Sequence, residues 1–468
     1  MFLVGTVSAL ALVLIIGILS GRRIKTMSDF TEGGGKAGTA IVAGSLLGTI
    51  IGGASTIGTA QLAFRYGLSG WNFSLGCAGG CLLLALLTSK PVRHMKADTI
   101  NGRIREVYGD TISTVISIVS VCGLFIALLG QVTSGLSMVG TLFPALDKKT
   151  ALAVVVLFIA VYVIFGGLWG AGMLGLLKTG MLFAMMLFSV SAVLWLSGGY
   201  HSLAAQLDPV DSWDLFRRGI NTDLGSMVSV MLGVACNQSY IQILRSGRSD
   251  AVTRRACLVS AAVIPPVSFA GVLVGLYMRS VTPESVFSDA AALSEAAREA
   301  LPRFLLNSTP PLFSGLFLTF LFVVIIGSGA GLLLGMTTVI RRDLVGRLTH
   351  RFDESHSALL FTRVSIVVIL AVELLTALFA SDTILDITVY GTALRTSAAL
   401  LPFLTALFLP GRITPGWAGA SMAISIAVML LGNILNLPVG SIFLSLAAGG
   451  TLVFAGILVT RSKRRKHL

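Results

Sequence analysis

The chain has little charge and little that could do covalent chemistry. Only 12% of its 468 residues are charged, 21 of them acidic, against 55% hydrophobic. A soluble fold of this size cannot hide so much apolar surface, so a water-soluble domain is excluded and an integral membrane protein is expected. The five histidines, at 94, 201, 350, 356 and 467, lie in polar loops or the tail, with no ligand spacing. Paired carboxylates, a phosphate-binding glycine loop and a nucleophile elbow are missing, so an enzyme is not expected. The five cysteines (77, 81, 122, 236 and 257) sit within or at the ends of apolar runs. Cys77 and Cys81 are a helical turn apart but have no histidine or acidic company, which reads as buried free thiols rather than a metal site or disulfide framework.

Apolar runs are what the chain has in quantity. At about 20 residues per crossing, thirteen spans fit, near 2–20, 38–66, 69–89, 111–143, 151–171, 174–198, 226–245, 256–278, 311–340, 358–381, 384–409, 415–434 and 438–460. The expected fold is an all-α polytopic membrane protein of about 13 transmembrane helices. The first run lacks a small-residue cleavage site and is followed by Gly21-Arg22-Arg23, so it counts as a span rather than a signal peptide. The net charge of +13 follows topology, not nucleic acid. One set of loops holds 23 basic residues, among them Arg23, Arg245 and Arg342, and the other holds seven, among them Lys148 and Arg217. That asymmetry puts the N-terminus outside and the C-terminus in the cytoplasm of an inner (cell) membrane, and makes the basic tail a lipid-headgroup anchor.

The stretch Gly44 to Gly58, GSLLGTIIGGASTIG, lies within the second span. Gly44, Gly48 and Gly52 recur every four residues, and Gly52-Gly53 with Ser55-Thr56 loosen the helix at mid-span. Unwound backbone at membrane depth is tolerated where it is buried in protein or lines a watery cavity, and in transporters it frees carbonyls for an ion. The alternative is an intact helix with a small-residue packing stripe. Span seven repeats the design, broken by GVACNQS, and two interrupted segments in corresponding positions point to inverted repeats. The expected units are 1–37 (first span and inner loop), 38–225 and 226–412 (two five-helix repeats, the first with an outer loop), and 413–468 (two helices and the tail).

Charges inside the membrane are costly and so informative. Glu373 is the one acid well inside a span. Arg395 can pair with it or with a solute carboxylate, and Lys178 either serves coupling or reaches cytosolic water at the membrane face. The carbonyl of Leu334 and the hydroxyls of Thr337 and Thr338 share a helix face. Facing carbonyls of a broken span two, they would make a five-oxygen cage for a small hard cation; taken alone, such threonines bond the preceding turn.

With these features the sequence resembles the sodium:solute symporter family of proline, pantothenate and sodium–glucose carriers. The resemblance rests on DFTEGGGK, ASTIG, YGLSGW, TINGRIREVYG, GGLWGAG, NQSYIQ, TTVIRRDL and PFLTALFLPGRITPGWAGASMA, in that order along nearly the whole chain. It implies the five-plus-five inverted-repeat fold of the bacterial leucine transporter. By motif it implies a sodium site from the carbonyls of Ala54, Ile57 and Leu334 and the hydroxyls of Thr337 and Thr338. Sodium would be co-transported rather than a tightly bound cofactor. Solute contacts or gates would be Gln61, Asn237, Gln238 and Tyr240, with Arg395 on a carboxylate. Two departures stand out: Gly175 where many relatives carry an acid, with Lys178 one turn on, and Thr56 where proline carriers have an aspartate. The expected function is a cation-coupled symporter, sodium first, importing a small carboxylate or amino-acid-like solute by alternating access. The rivals are a proton-coupled carrier using Lys178 and Glu373, a non-transporting membrane solute sensor, and a channel. Expected partners are the solute and the bilayer, with no nucleic acid and no obligate protein partner.

Overall fold

The computed structural model describes residues 36–207, 212–347, 356–380, 383–435 and 440–466, with a few of the first eight. Most of the expected first span, and of DFTEGGGK, lies outside the described residues. Among those described, nine helical runs are long and apolar enough to cross a membrane, or ten with the pair Ile220–Ala235 and Gln238–Ser246 taken as one span. The expected thirteen are therefore not all met among the described residues.

The second span is broken as its glycines predict. Helix α1 (Thr39–Ile50) stops at Ile51, whose backbone is extended, and a π-helical turn over Ala54–Gly58 leads into α2 (Thr59–Tyr66). Side chains take the backbone groups that a continuous helix would use. Gly52 N donates to Ser55 Oγ at 2.9 Å, Gly53 N to Gln131 Oε1 at 2.8 Å, and Thr56 Oγ1 to Gly52 O at 2.7 Å. Glycine is required here by crowding. A Cβ on Gly52 would lie 2.5 Å from Ser328 Cβ, and one on Gly53 would lie 2.2 Å from Ser134 Cβ. At Gly67 (φ +63°) the chain turns into α3 (Asn72–Leu83).

After α4 (Ile100–Tyr108), α5 (Asp110–Leu142) runs the depth of the bundle. Helix α6 (Lys148–Leu196) is helical throughout its 49 residues, about 73 Å if straight and too long for one crossing. It is not straight. Atoms of Tyr162 and Lys178, some 24 Å apart on a straight helix, both lie within 3.4 Å of the same point beside Gly327. The run therefore bends between them, and its second leg, Lys178–Leu196, is long and apolar enough to cross a membrane.

The second half opens with α7 (Ile220–Ala235) and α8 (Gln238–Ser246), bent by 45° at Cys236-Asn237. There follow α9 (Asp250–Val281), α10 (Ala290–Asn307), α11 (Pro311–Thr338), α12 (His356–Ala377), α13 (Ile384–Phe408), α14 (Pro415–Ile434) and α15 (Ser441–Lys466). Burial sorts these into centre and rim. The apolar windows of α11 and α13 are 89% and 72% buried, those of α12 and α15 only 28% and 22%. The first two are therefore core elements and the last two face lipid. Helix α1 packs on α6 and α11, α3 on α7, and α5 on α13. All five cysteines are free, and among the described residues no cluster of three or more metal-ligating side chains forms.

Candidate functional site

The register between α1 and α11 decides the site. The helices run antiparallel, with Ser328 Oγ within 3.0 Å of both Gly48 O and Ile51 O, and the Thr49 side chain against Gly331. Lys178 Nζ, from the second leg of α6, donates to the same Gly48 O at 3.0 Å. The lysine is 4% exposed, so it does not reach water at the membrane face. A Cβ on Gly327 would lie 2.3 Å from its Nζ, so the missing side chain there makes the room for the ammonium. Two carbonyls at i, i+3 just before a helix break, one hydroxyl and one ammonium thus share a buried seat.

The five oxygens expected as a cage are not brought together. Thr337 and Thr338 stand nine and ten residues beyond Ser328 on α11, about 15 Å along the axis, while Ala54 and Ile57 lie past the break in the opposite direction. Leu334 O accepts both threonine hydroxyls, at 3.1 and 2.8 Å, and Thr338 Oγ1 also accepts from Gln242 Nε2 at 2.7 Å. That cluster ties α11 to α8. Gly52-Gly53 marks the first break, and the carbonyls left over lie on its N-terminal side. The sequence pointed to the carbonyls of Ala54 and Ile57, and not to those of Gly48 and Ile51 or to their partner Ser328.

Between the two breaks lies a small cavity of about 40 Å³, lined among others by Phe73, Gln131, Asn237, Tyr240, Thr392 and Arg395. Arg395 is 2% exposed, and its Nε and Nη1 have no acceptor among the described residues. Its expected pairing with Glu373 does not form. Glu373 is buried on α12, and both its carboxylate oxygens lack a partner among the described residues. Gln131, the one amide within α5, was passed over by the sequence reading. A wider cleft of about 350 Å³ opens between α7, α13, α14 and α15. Among the described residues its one charged lining residue, Asp386, already holds Arg218.

The other predicted contacts act as straps. Gln61 Oε1 accepts from Ile384 N at 3.1 Å, fastening α2 to the start of α13. Gln238 binds Ile100 N at 3.0 Å and Asp98 O at 3.3 Å instead of lining the cavity. Around it a latch closes one end of the bundle. Asp98 pairs with Arg342 and, at 2.9 Å, with Arg245, while Thr99 Oγ1 donates to Asp343 at 2.7 Å. At the opposite end Arg218 joins Asp223 at 2.8 Å and Asp386 at 2.9 Å, and Ser69 Oγ donates to Asp223 at 2.7 Å.

Comparison with known proteins places this geometry. Residues 30–425 match the model of the sodium:solute symporter family. A curated relative, the uncharacterized symporter YwcA of Bacillus subtilis (strain 168), is 27% identical over 178 residues, 37% of this chain. The match spans 34% of that relative's length. Among solved structures, a sodium-coupled sialic acid symporter in a substrate-bound, outward-open state superposes with TM-score 0.78 at 17% identity, covering 98% of this chain and 97% of that one. Mhp1 in an inward-facing conformation gives TM-score 0.58 at 14% identity, covering 92% and 91%. These likenesses show the leucine-transporter-like fold.

Proposed function

The chain belongs to the sodium:solute symporter family, and from that premise we propose that it imports a small organic solute, a carboxylate or amino-acid-like compound, coupled to a proton carried by Lys178. It is a multi-pass membrane transporter and not an enzyme. The observation that carries the coupling ion is the Lys178 ammonium on Gly48 O, beside the break in α1–α2. With the proton on, the ammonium ties α6 to α1 by a charge-assisted hydrogen bond. With it off, the tie weakens and α1 is freer to move against α11. Solute in the cavity and proton in the seat bias the same broken helix, which is what linkage requires of two coupled sites. Import then proceeds by opening the Arg218 latch and the Asp98 latch in turn, the first facing outside and the second the cytoplasm of the cell membrane. The repeats 38–225 and 226–412 would supply the two moving halves.

Sodium is the second reading. It is favoured by the family and by the sodium-coupled sialic acid symporter. Thermal stability of the purified protein, titrated with sodium against choline at several pH values, separates the two. A cation at 100 times its dissociation constant adds about 2.7 kcal/mol to stability, a visible shift in Tm. The proton reading expects a pH dependence that Lys178→Ala removes and no response to sodium. A sodium response that Ser328→Ala abolishes would replace it.

A further inference from the structure

Resting on the reading of the cavity between the breaks as the solute site, we infer that its ligand is a short monocarboxylate without an amino group, with Arg395 as the residue that selects it. Three observations converge. Among the described residues Arg395 is the one charged residue lining the cavity, and its guanidinium is buried with two nitrogens, Nε and Nη1, lacking an acceptor. Such a group calls for an anion, because a buried charge without a partner is destabilising. A carboxylate answers a guanidinium in charge and in geometry.

An ammonium group on the same solute finds nothing comparable. Among the described residues no aspartate or glutamate lines the cavity. The carbonyls at the first break are the alternative, and here protein donors already crowd them. Gly48 O and Ile51 O hold Ser328 and, at Gly48, Lys178. Ile50 O and Gly52 O accept the Ser55 hydroxyl, Gly52 O also takes Thr56, and Gly53 O takes Gly58 N. Lys178 and Arg395 add like-charge repulsion against a third cation. Discrimination by a missing polar partner is strong where discrimination by a methylene is weak.

Size narrows the class further. On a measure where one water needs roughly 10–15 Å³, about 40 Å³ holds about three waters, or a solute of a few heavy atoms. The rest of the wall sets neutral polar groups, among them Gln131, Asn237, Tyr240 and Thr392, beside the apolar Phe73, Val230, Val234 and Leu332. A two- to four-carbon acid offers one charged end to Arg395 and a short apolar end to these.

Propionate and L-alanine are the decisive pair, since they differ by one ammonium group. Binding to the purified wild-type protein is read by calorimetry and Tm shift, with acetate and hexanoate as size probes. Propionate and acetate should bind, alanine should need at least tenfold more ligand, and hexanoate should bind more weakly than propionate. Arg395→Gln should weaken propionate at least tenfold while leaving the pH dependence assigned to Lys178. Arg395→Lys, which keeps the charge, should recover part of the loss and covers the case in which the glutamine variant does not fold. Alanine binding as tightly as propionate, no binding of two- to four-carbon acids, or unchanged propionate affinity without the arginine each overturns the inference. Binding in detergent needs no gradient, so the two readings fail separately. Propionate that binds but is not driven into proteoliposomes by a cation gradient sinks the transport reading alone. Cation-driven uptake of a different solute, with no propionate bound, sinks this one alone.

Discussion

The two broken helices are built to different plans. At the first break, α1–α2, the exposed backbone groups are met by the break's own Ser55 and Thr56 and, in addition, by three other helices: Gln131 of α5, Ser328 of α11 and Lys178 of α6. At the second, α7–α8, the chain serves itself. Asn237 Oδ1 caps Ser239 N at 3.0 Å and Cys236 Sγ leans on Leu232 O at 3.5 Å, while the bonds that go outside come from side chains: Ser239 Oγ to Gly331 O at 2.9 Å, and Gln238 to Ile100 N and Asp98 O. A break held by three helices feels any movement between them; a self-capped break moves as a unit. The first is therefore the place where a cation can govern conformation, and the second serves to turn Asn237 and Tyr240 into the cavity.

Removing the tie should have the largest effect. Lys178→Ala should lower gradient-driven uptake at least tenfold and flatten the difference in Tm between low and high pH, measured side by side with wild type. Adding Gly327→Ser to it places a hydroxyl where the ammonium was. The double variant should then gain a sodium-dependent Tm shift that neither parent shows. If Lys178→Ala keeps its pH-driven uptake, the first break has no privileged role.

Backbone crowding comes next. Gly53→Ala pushes a methyl to 2.2 Å from Ser134 Cβ, and overpacking of this kind costs about 1–3 kcal/mol. At the self-capped break, Asn237→Ala removes one N-cap, about 1 kcal/mol. Denaturation of the two variants in the same detergent should rank them in that order. The reverse would mean that the second break, not the first, is the strained one.

The parts of this arrangement that were legible in the sequence are the local ones. Spans show as hydropathy, and both breaks show as glycine pairs or amides amid apolar residues, because helix loosening is decided within a turn. Arg395 and Lys178 stood out because a charge in an apolar run needs a reason. Partner choice was not legible. Ala54 and Ile57 have the same i, i+3 spacing as Gly48 and Ile51, and Thr337-Thr338 has hydroxyls as Ser328 does. What separates the sets is the register of α1 against α11, fixed by Thr49 on Gly331 and Ser328 on Gly52, contacts between residues some 280 positions apart. For the same reason Glu373 looked like a partner for Arg395 and is not. Gln61 and Gln238 looked like solute contacts and proved to be straps, since an amide on a broken span is equally suited to either task.

The smallest effect tests that register. Thr338→Ala removes the acceptor of a buried amide, Gln242 Nε2 at 2.7 Å, and leaving such a donor unmatched costs about 1–3 kcal/mol. Stability should fall by that order while the cation or pH dependence of Tm stays within twofold of wild type. Ser328→Ala should do the opposite. It deletes one hydroxyl from the seat beside Lys178 and should move the midpoint of the pH dependence of Tm by about one pH unit, a tenfold change in proton concentration. The two residues differ in place, not in chemistry: both are buried hydroxyls on one helix, ten positions apart. If Thr338→Ala shifts the cation dependence and Ser328→Ala does not, α1 and α11 meet in a different register when the protein works, and the oxygens of Ala54, Ile57, Leu334, Thr337 and Thr338 become the seat after all.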